Sequence, residues 1–180
     1  MIRCVAFLRA INVGGHRVSM EELRRLFVSM SFEEVETFIA SGNVLFSVPR
    51  LTRPALTRRI EADLKAALGY EVHTFLRTGA EVAAICRETP FSPAEIQQAA
   101  ALNVGLLADP LSAPARKRLQ SLATDIDAFQ VCGREVYWLC RRKQSESTFS
   151  HAIFERSLGV KATFRTIKTF VRLVDRYDLG

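Results

Sequence analysis

Two short polar segments carry most of the chemistry that this sequence could perform, and the first contains Arg9, Asn12, Gly14 and Gly15. Backbone N–H groups of a glycine-containing loop between a strand and a helix can converge on an anion, and arginine can bind a phosphate or carboxylate through two parallel hydrogen bonds. The segment is neither G-x-G-x-x-G nor a P-loop, since no Gly-Lys-Ser/Thr follows. Alternatively, the two glycines only permit positive φ in a β-to-α connection.

The second polar segment is Ser41, Gly42 and Asn43, which places a hydroxyl and an amide at a turn. The first and third strands of a βαββ sheet are neighbours, so this turn should approach Arg9 and Asn12. Such a cluster suits an anionic or carbonyl-bearing small molecule, including a nucleotide. The alternative is local turn chemistry, in which Asn43 bonds its own backbone and Ser41 caps the turn.

The last quarter of the chain is basic. Residues 134–180 contain 10 basic and 5 acidic side chains, whereas residues 1–133 contain 15 and 14. An excess of this kind is typical of proteins with acidic partners, so nucleic-acid binding is a second hypothesis, and a solvated basic face is the alternative. Thr163 and Arg165 could also join the anion site. The basic side chains considered are Arg141, Arg142, Lys143, Lys161, Arg165 and Lys168.

Neither a catalytic triad nor a metal site is evident. His16, His73 and His151 stand apart without neighbouring cysteine or acidic motifs, and Ser41 has no base close in sequence. We therefore expect no metal and no cofactor, and whether the protein is an enzyme stays open. The four cysteines form no C-x-x-C pair, which favours free thiols in the reducing cytoplasm.

The hydrophobic pattern of residues 1–77 predicts strands and helices in the order βαββαβ. An apolar run at residues 4–8 predicts a strand buried on both faces, and Ser19 with Glu22 predicts the start of a helix. Extended segments are predicted at residues 35–39, 44–48 and 72–76, with a turn at residues 40–43. A second helix should begin near Thr52 and Pro54 and end at Gly69.

Residues 101–180 repeat this order. We predict a strand at 102–107, a helix at 114–123, a hairpin at 129–140, a helix ending at 158–159, an extended stretch at 162–165 and a last helix. Residues 78–100 form a helical connector interrupted at Pro90. The predicted fold is therefore α+β, with two ferredoxin-like halves, 1–77 and 101–180, packed into one compact unit.

No apolar run is long enough to span a bilayer and no signal peptide is apparent, so neither a membrane partner nor secretion is expected. The continuous apolar strands motivate a third hypothesis, a homo-oligomeric interaction module without a ligand.

Three segments together resemble a known bacterial family. They are residues 7–15, FLRAINVGG, residues 37–46, TFIASGNVLF, and residues 163–166, TFRT. This combination is similar to the family called domain of unknown function 1697. The resemblance implies the fold and a cytoplasmic bacterial setting, and it carries no established activity.

Overall fold

The computed structural model describes residues 1–39, 41–50 and 52–179. The chain divides into two compact units, the first built from Met1–Ala83 and Leu173–Gly180 and the second from Ala84–Arg172. Within the described residues there are two four-stranded antiparallel sheets and seven α-helices, which confirms the α+β prediction. The predicted division into residues 1–77, 78–100 and 101–180 stays a prediction.

The first unit contains one sheet whose spatial order is β2-β3-β1-β4, with every neighbouring pair antiparallel. Its chain order is βαββαβ, as the sequence predicts. The elements are β1 (Ile2–Arg9), α1 (Met20–Ser29), β2 (Glu33–Phe38), β3 (Asn43–Val48), α2 (Arg53–Leu68) and β4 (His73–Thr78), followed by α3 (Gly79–Arg87).

Strand β1 is central to this sheet and is buried on both faces, since Cys4 and Phe7 are both 0% exposed although they point to opposite faces. Cys4 lies on the face that packs against α1 and α2, and it belongs to the same core cluster as Phe27 of α1 and Ile60 of α2. Strand β1 is therefore covered on both faces, as the apolar run at residues 4–8 predicts, and it presents no open face on which the bases of single-stranded RNA could stack.

The second unit repeats the arrangement, with the sheet order β6-β7-β5-β8. Aromatic rings fill its core, where Trp138, Phe149, Phe154 and Phe164 lie in contact. The elements that follow α3 along the chain are α4 (Pro93–Gln98), β5 (Ala101–Leu106), α5 (Ala113–Gln120), β6 (Asp127–Cys132), β7 (Glu135–Cys140), a 3₁₀ turn (Gln144–Glu146), α6 (His151–Leu158), β8 (Thr163–Thr166) and α7 (Ile167–Tyr177). The last turns of α7, from Leu173, belong to the first unit.

The likeness between the two sheets extends to a local motif on their last strands. Arg77 on β4 lies opposite Val5 of β1, and Arg165 on β8 lies opposite Val104 of β5. Each arginine donates from Nη1 to the carbonyl of the residue before it, at 2.9 Å, and each is followed by threonine. The halves therefore share more than topology, because the same side chain occupies the corresponding register position in both.

The helix ends follow the predicted capping chemistry. Ser19 accepts a hydrogen bond from the backbone N–H of Glu22, and Ser92 with Glu95 forms a complete capping box. Gly69 ends α2 in the left-handed conformation. None of the helices in the described ranges combines the length and apolar character needed to cross a membrane.

Candidate ligand-binding site

The loop between β1 and α1 turns sharply and is held from within. Ala10 has φ +60°, and Gly14 and Gly15 have φ +68° and +89°. The side-chain oxygen of Asn12 accepts a 2.7 Å hydrogen bond from the backbone N–H of Val18, which closes the loop onto the start of α1. Asn12 thus shapes the loop, and the glycines supply a backbone conformation that other residues rarely adopt.

An open cleft of about 750 Å³ lies against this loop. Of the residues at its wall, Arg17 is not among the residues that the sequence analysis considers, and His16 is considered there only as an isolated histidine. A cleft volume of about 750 Å³ is within the range of small-molecule sites. The cleft is lined by Asn12, Gly15, His16, Arg17, Val18, Ser19 and Glu22.

The loop presents hydrogen-bond donors that the protein leaves available. Among residues 1–39, 41–50 and 52–179, the backbone N–H groups of Gly14, Gly15 and Arg17 donate to no acceptor, and the Arg17 guanidinium forms neither a hydrogen bond nor an ion pair. These groups are exposed and bond to water in the free protein. An anion in the cleft could exchange those water contacts for charge-assisted hydrogen bonds.

An aromatic stack supports the loop at His16, which also lines the cleft. The rings of His16 and Tyr70 lie 3.8 Å apart between centroids with an interplanar angle of 20°. The Tyr70 hydroxyl donates a 2.8 Å hydrogen bond to the carbonyl of Ile11. Burial, followed by the charge of Glu22, raises the pKa of Tyr70 above its ordinary value. Tyr70 follows Gly69 at the end of α2, and nothing in the local sequence links it to a loop 59 residues earlier.

The two predicted polar segments meet at Gly42. Its carbonyl accepts a 2.8 Å hydrogen bond from the N–H of Leu8, and a Cβ placed on Gly42 would lie 2.7 Å from Cγ2 of Ile11. Phe7 and Asn43 are directly opposite each other in the β1 and β3 pairing. The predicted turn includes Ala40, which lies outside the described residues.

The Asn43 amide belongs to the turn. The side chain is 0% exposed, and its Nδ2 donates to the carbonyl of Phe38 and to Oγ of Ser41, both at 2.9 Å. With both amide hydrogens engaged, this nitrogen has no hydrogen to offer a ligand. Local turn chemistry, the alternative to ligand binding, is therefore the arrangement that these contacts describe.

The remaining predicted site residues lie away from the cleft wall. Arg9 is half-buried at the end of β1, opposite His73, and does not line the cleft. Thr163 and Arg165 belong to the second unit, where Arg165 donates to Oγ1 of Thr163 at 2.8 Å and burial lowers the pKa of Arg165 to about 10. These two side chains form a cluster of their own.

No three His, Cys, Asp or Glu side chains among residues 1–39, 41–50 and 52–179 are grouped so that they could hold a metal ion. Of the predicted basic residues, Arg141 lies 4.0 Å from a carboxylate oxygen of Glu95. Lys161 and Lys168 are exposed.

Comparisons with known proteins identify a family. No curated protein matches the chain. Among solved structures, it is similar to a conserved bacterial protein from Streptococcus pneumoniae, with 20% sequence identity, a TM-score of 0.74 and 99% of each chain covered, which shows the fold. The model of the family described as "Protein of unknown function (DUF1697)" matches residues 1–137, which include both polar loops of the first unit and end before Thr163. The resemblance read from the sequence is thus confirmed, and the chain belongs to the DUF1697 family.

Proposed function

We propose that this protein binds a small phosphate-bearing ligand in the cleft beside residues 12–19. The observation that carries this proposal is the Arg17 guanidinium, which pairs with no group among the described residues and lines the same cleft as the available backbone N–H of Gly15. A fixed backbone donor with a mobile cation beside it is a common arrangement for phosphate recognition. Asn12 and Gly14 contribute by holding the loop in the required shape.

The start of α1 adds to this electrostatic environment. Ser19 occupies the N-cap, and the partial positive charge of a helix N-terminus favours a bound anion. Glu22 lines the cleft and opposes this attraction. A ligand must therefore place its phosphate toward Arg17 and Gly15, away from the Glu22 carboxylate.

The ligand class that fits best is a nucleotide. The cleft is large enough for a mononucleotide, and His16, held against Tyr70, presents an aromatic ring at its wall. A nucleobase can stack on such a ring while its phosphate reaches Arg17. The setting that we propose is the cytoplasm, because Cys4, Cys86, Cys132 and Cys140 are all free thiols.

The test is a thermal-shift screen with inorganic phosphate, nucleoside monophosphates and the matching nucleosides, repeated at low and high salt. A ligand at 100 times its Kd adds about 2.7 kcal/mol to the stability of the native state, which raises the melting temperature. We expect a nucleoside monophosphate to raise it, and the nucleoside alone to do so far less.

Variants locate the site. Arg17→Ala should abolish the shift, whereas Arg25→Ala should retain it, because Arg25 is an exposed arginine of α1 that pairs with Glu21 outside the cleft lining. Arg9→Ala tests whether the binding site extends beyond the cleft to the end of β1, where Arg9 lies. The proposal fails if Arg17→Ala binds every tested phosphate compound as tightly as the wild-type protein does.

A further inference from the structure

The positive charge of this protein resides mainly in its second unit. Residues 84–172 contain 13 basic and 8 acidic side chains, whereas the first unit contains 12 and 11. The Arg17 cleft therefore explains little of the overall charge, and a surface within the second unit must account for it.

Helices α5 and α6 carry cations on their outward faces. Lys117 lies midway between the buried residues Ala115 and Leu119, so the 3.6-residue period points it away from the core. Arg156 lies midway between the buried Phe154 and Leu158 on α6 and points outward for the same reason.

The two helices are joined through one of these cations. Nε of Arg118 donates a 3.0 Å hydrogen bond to the carbonyl of Ser157, the residue after Arg156. Lys161 follows the end of α6 and is exposed. We call the surface formed by Lys117, Arg118, Arg156 and Lys161 the α5–α6 basic face.

One carboxylate adjoins this face, that of Glu155 on α6, and its Oε1 accepts a hydrogen bond from the backbone N–H of Ala162. Across the three described ranges of the chain, none of the four cations of the face forms an ion pair. Elsewhere, exposed cations such as Arg25 and Lys65 do pair with carboxylates. Three of these cations lie on the two packed helices and Lys161 lies just after α6, and with no ion pair to a described carboxylate they produce a positive potential that attracts a polyanion.

The aromatic residues nearby indicate which polyanion would bind. Phe149 and Phe154 are buried, and the His151 ring stacks on Phe164 with centroids 4.7 Å apart. These rings are therefore engaged within the unit, whereas proteins that bind single strands stack bases on exposed aromatic rings. Contacts that come only from lysine and arginine suit a phosphate backbone.

We propose that the α5–α6 basic face binds the phosphate backbone of double-stranded nucleic acid without reading its sequence. Each cation would contact one phosphate and release counterions on binding. This interaction is independent of the Arg17 cleft, because the two sites use different residues and one does not require the other.

The test measures the affinity for a short DNA duplex by fluorescence anisotropy over a series of salt concentrations. Four phosphate contacts predict that log K falls against log [salt] with a slope of about −3.6. The double variant Lys117→Ala, Arg156→Ala should have a slope of about −1.8. Arg17→Ala should bind the duplex as the wild type does, so failure of the cleft proposal and failure of this one give different results.

The matched control is Arg142→Ala, Lys143→Ala, which also removes two exposed cations of the second unit. It should keep the wild-type slope, and circular dichroism should show that both double variants remain folded. The proposal is overturned if the wild type does not bind the duplex, or if only the control loses affinity. Equal binding of polyglutamate would also overturn it, because the face would then accept any acidic polymer.

Discussion

Gly42 determines how closely the two polar loops approach. It has φ +76°, and a methyl group there would lie 2.7 Å from Cγ2 of Ile11 and 3.3 Å from Cβ of Leu8. Glycine is therefore required for two separate reasons, backbone conformation and space.

We predict that Gly42→Ala destabilises the protein more than Gly69→Ala does. Both glycines have left-handed φ, but beyond the two flanking residues no heavy atom of the described part of the chain lies within 4 Å of a Cβ on Gly69. The steric clash should add about 1–3 kcal/mol beyond the conformational cost, measured by urea unfolding. Equal losses in the two variants would mean that the loops separate easily and that the contact is unimportant.

Cys4 makes the free energy of unfolding depend on pH in the alkaline range. Burial is the main cause that raises the pKa of its thiol from 9.0 to about 11. Between these values the unfolded chain releases the proton and the folded protein keeps it, so the free energy of unfolding falls as the pH rises.

For Cys4 alone, the expected loss between about pH 8 and about pH 10.5 is about 2 kcal/mol. The Cys4→Ala variant should lack this part of the pH dependence, whatever its absolute stability. Urea unfolding of both proteins at the two pH values measures the difference. Parallel pH profiles would show that the Cys4 thiol ionises equally easily in both states.

Some site residues could be predicted from the sequence and others could not. Glycines next to polar side chains identified both loops, since turn chemistry is local. Arg17 was missed because whether an arginine is paired depends on carboxylates brought near by folding. The engagement of Asn43 within its own turn was foreseen only as an alternative, because the same residue types serve a turn and a ligand equally well.

At the scale of elements, a buried carboxylate organises one end of the β6–β7 hairpin. Asp127 is 1% exposed and accepts hydrogen bonds from Nε1 of Trp138 and Oγ of Ser147, both at 2.7 Å. Thr124 Oγ1 lies 3.3 Å from the same carboxylate. One side chain thus connects the hairpin, the preceding turn and the segment after β7.

Asp127→Ala should lower the free energy of unfolding by at least about 3 kcal/mol, because hydrogen bonds to a charged group are lost and the Trp138 indole N–H is left without an acceptor. The exposed Asp125 is the control, and Asp125→Ala should change stability by less than about 0.5 kcal/mol. Calorimetry or urea unfolding measures both. A small effect at Asp127 would show that water replaces the carboxylate.

The hairpin itself was predictable, whereas Asp127 was not. A turn at Gly133, which has φ +58°, and apolar residues around it predicted paired strands over residues 129–140. The observed strands begin two residues earlier, at Asp127. An aspartate rarely occupies a buried strand position, and the hydrogen bonds that Trp138 and Ser147 donate to it explain this one.

At the scale of the whole molecule, the chain returns to its first unit after completing the second. Leu179 is buried, and its Cδ2 would lie 3.2 Å from a Cβ on Gly79. Tyr177 packs edge-on against Phe38, with ring centroids 6.0 Å apart. Periodicity predicted the helix that carries this segment, but no local pattern indicates which distant residues it contacts.

We predict that Leu179→Ala lowers the free energy of unfolding by about 2 kcal/mol, because it removes a buried side chain that packs beside Gly79. Val171→Ala on α7, the helix that precedes Leu179, should cost less than about 0.5 kcal/mol, since Val171 is 42% exposed. Thermal unfolding of both variants measures the difference. Equal melting temperatures would show that the buried Leu179 side chain contributes no more to stability than an exposed valine does.

The separation of residues 173–179 from residues 1–83 has a consequence for biosynthesis. A ribosome makes the protein from the N-terminus, at roughly 5–20 residues per second. After Ala83 has been added to the growing chain, the whole second unit must be translated before Leu173 is added. The first unit therefore waits for several seconds on the nascent chain with the surfaces of Phe38 and Gly79 uncovered, an interval in which chaperones could bind them.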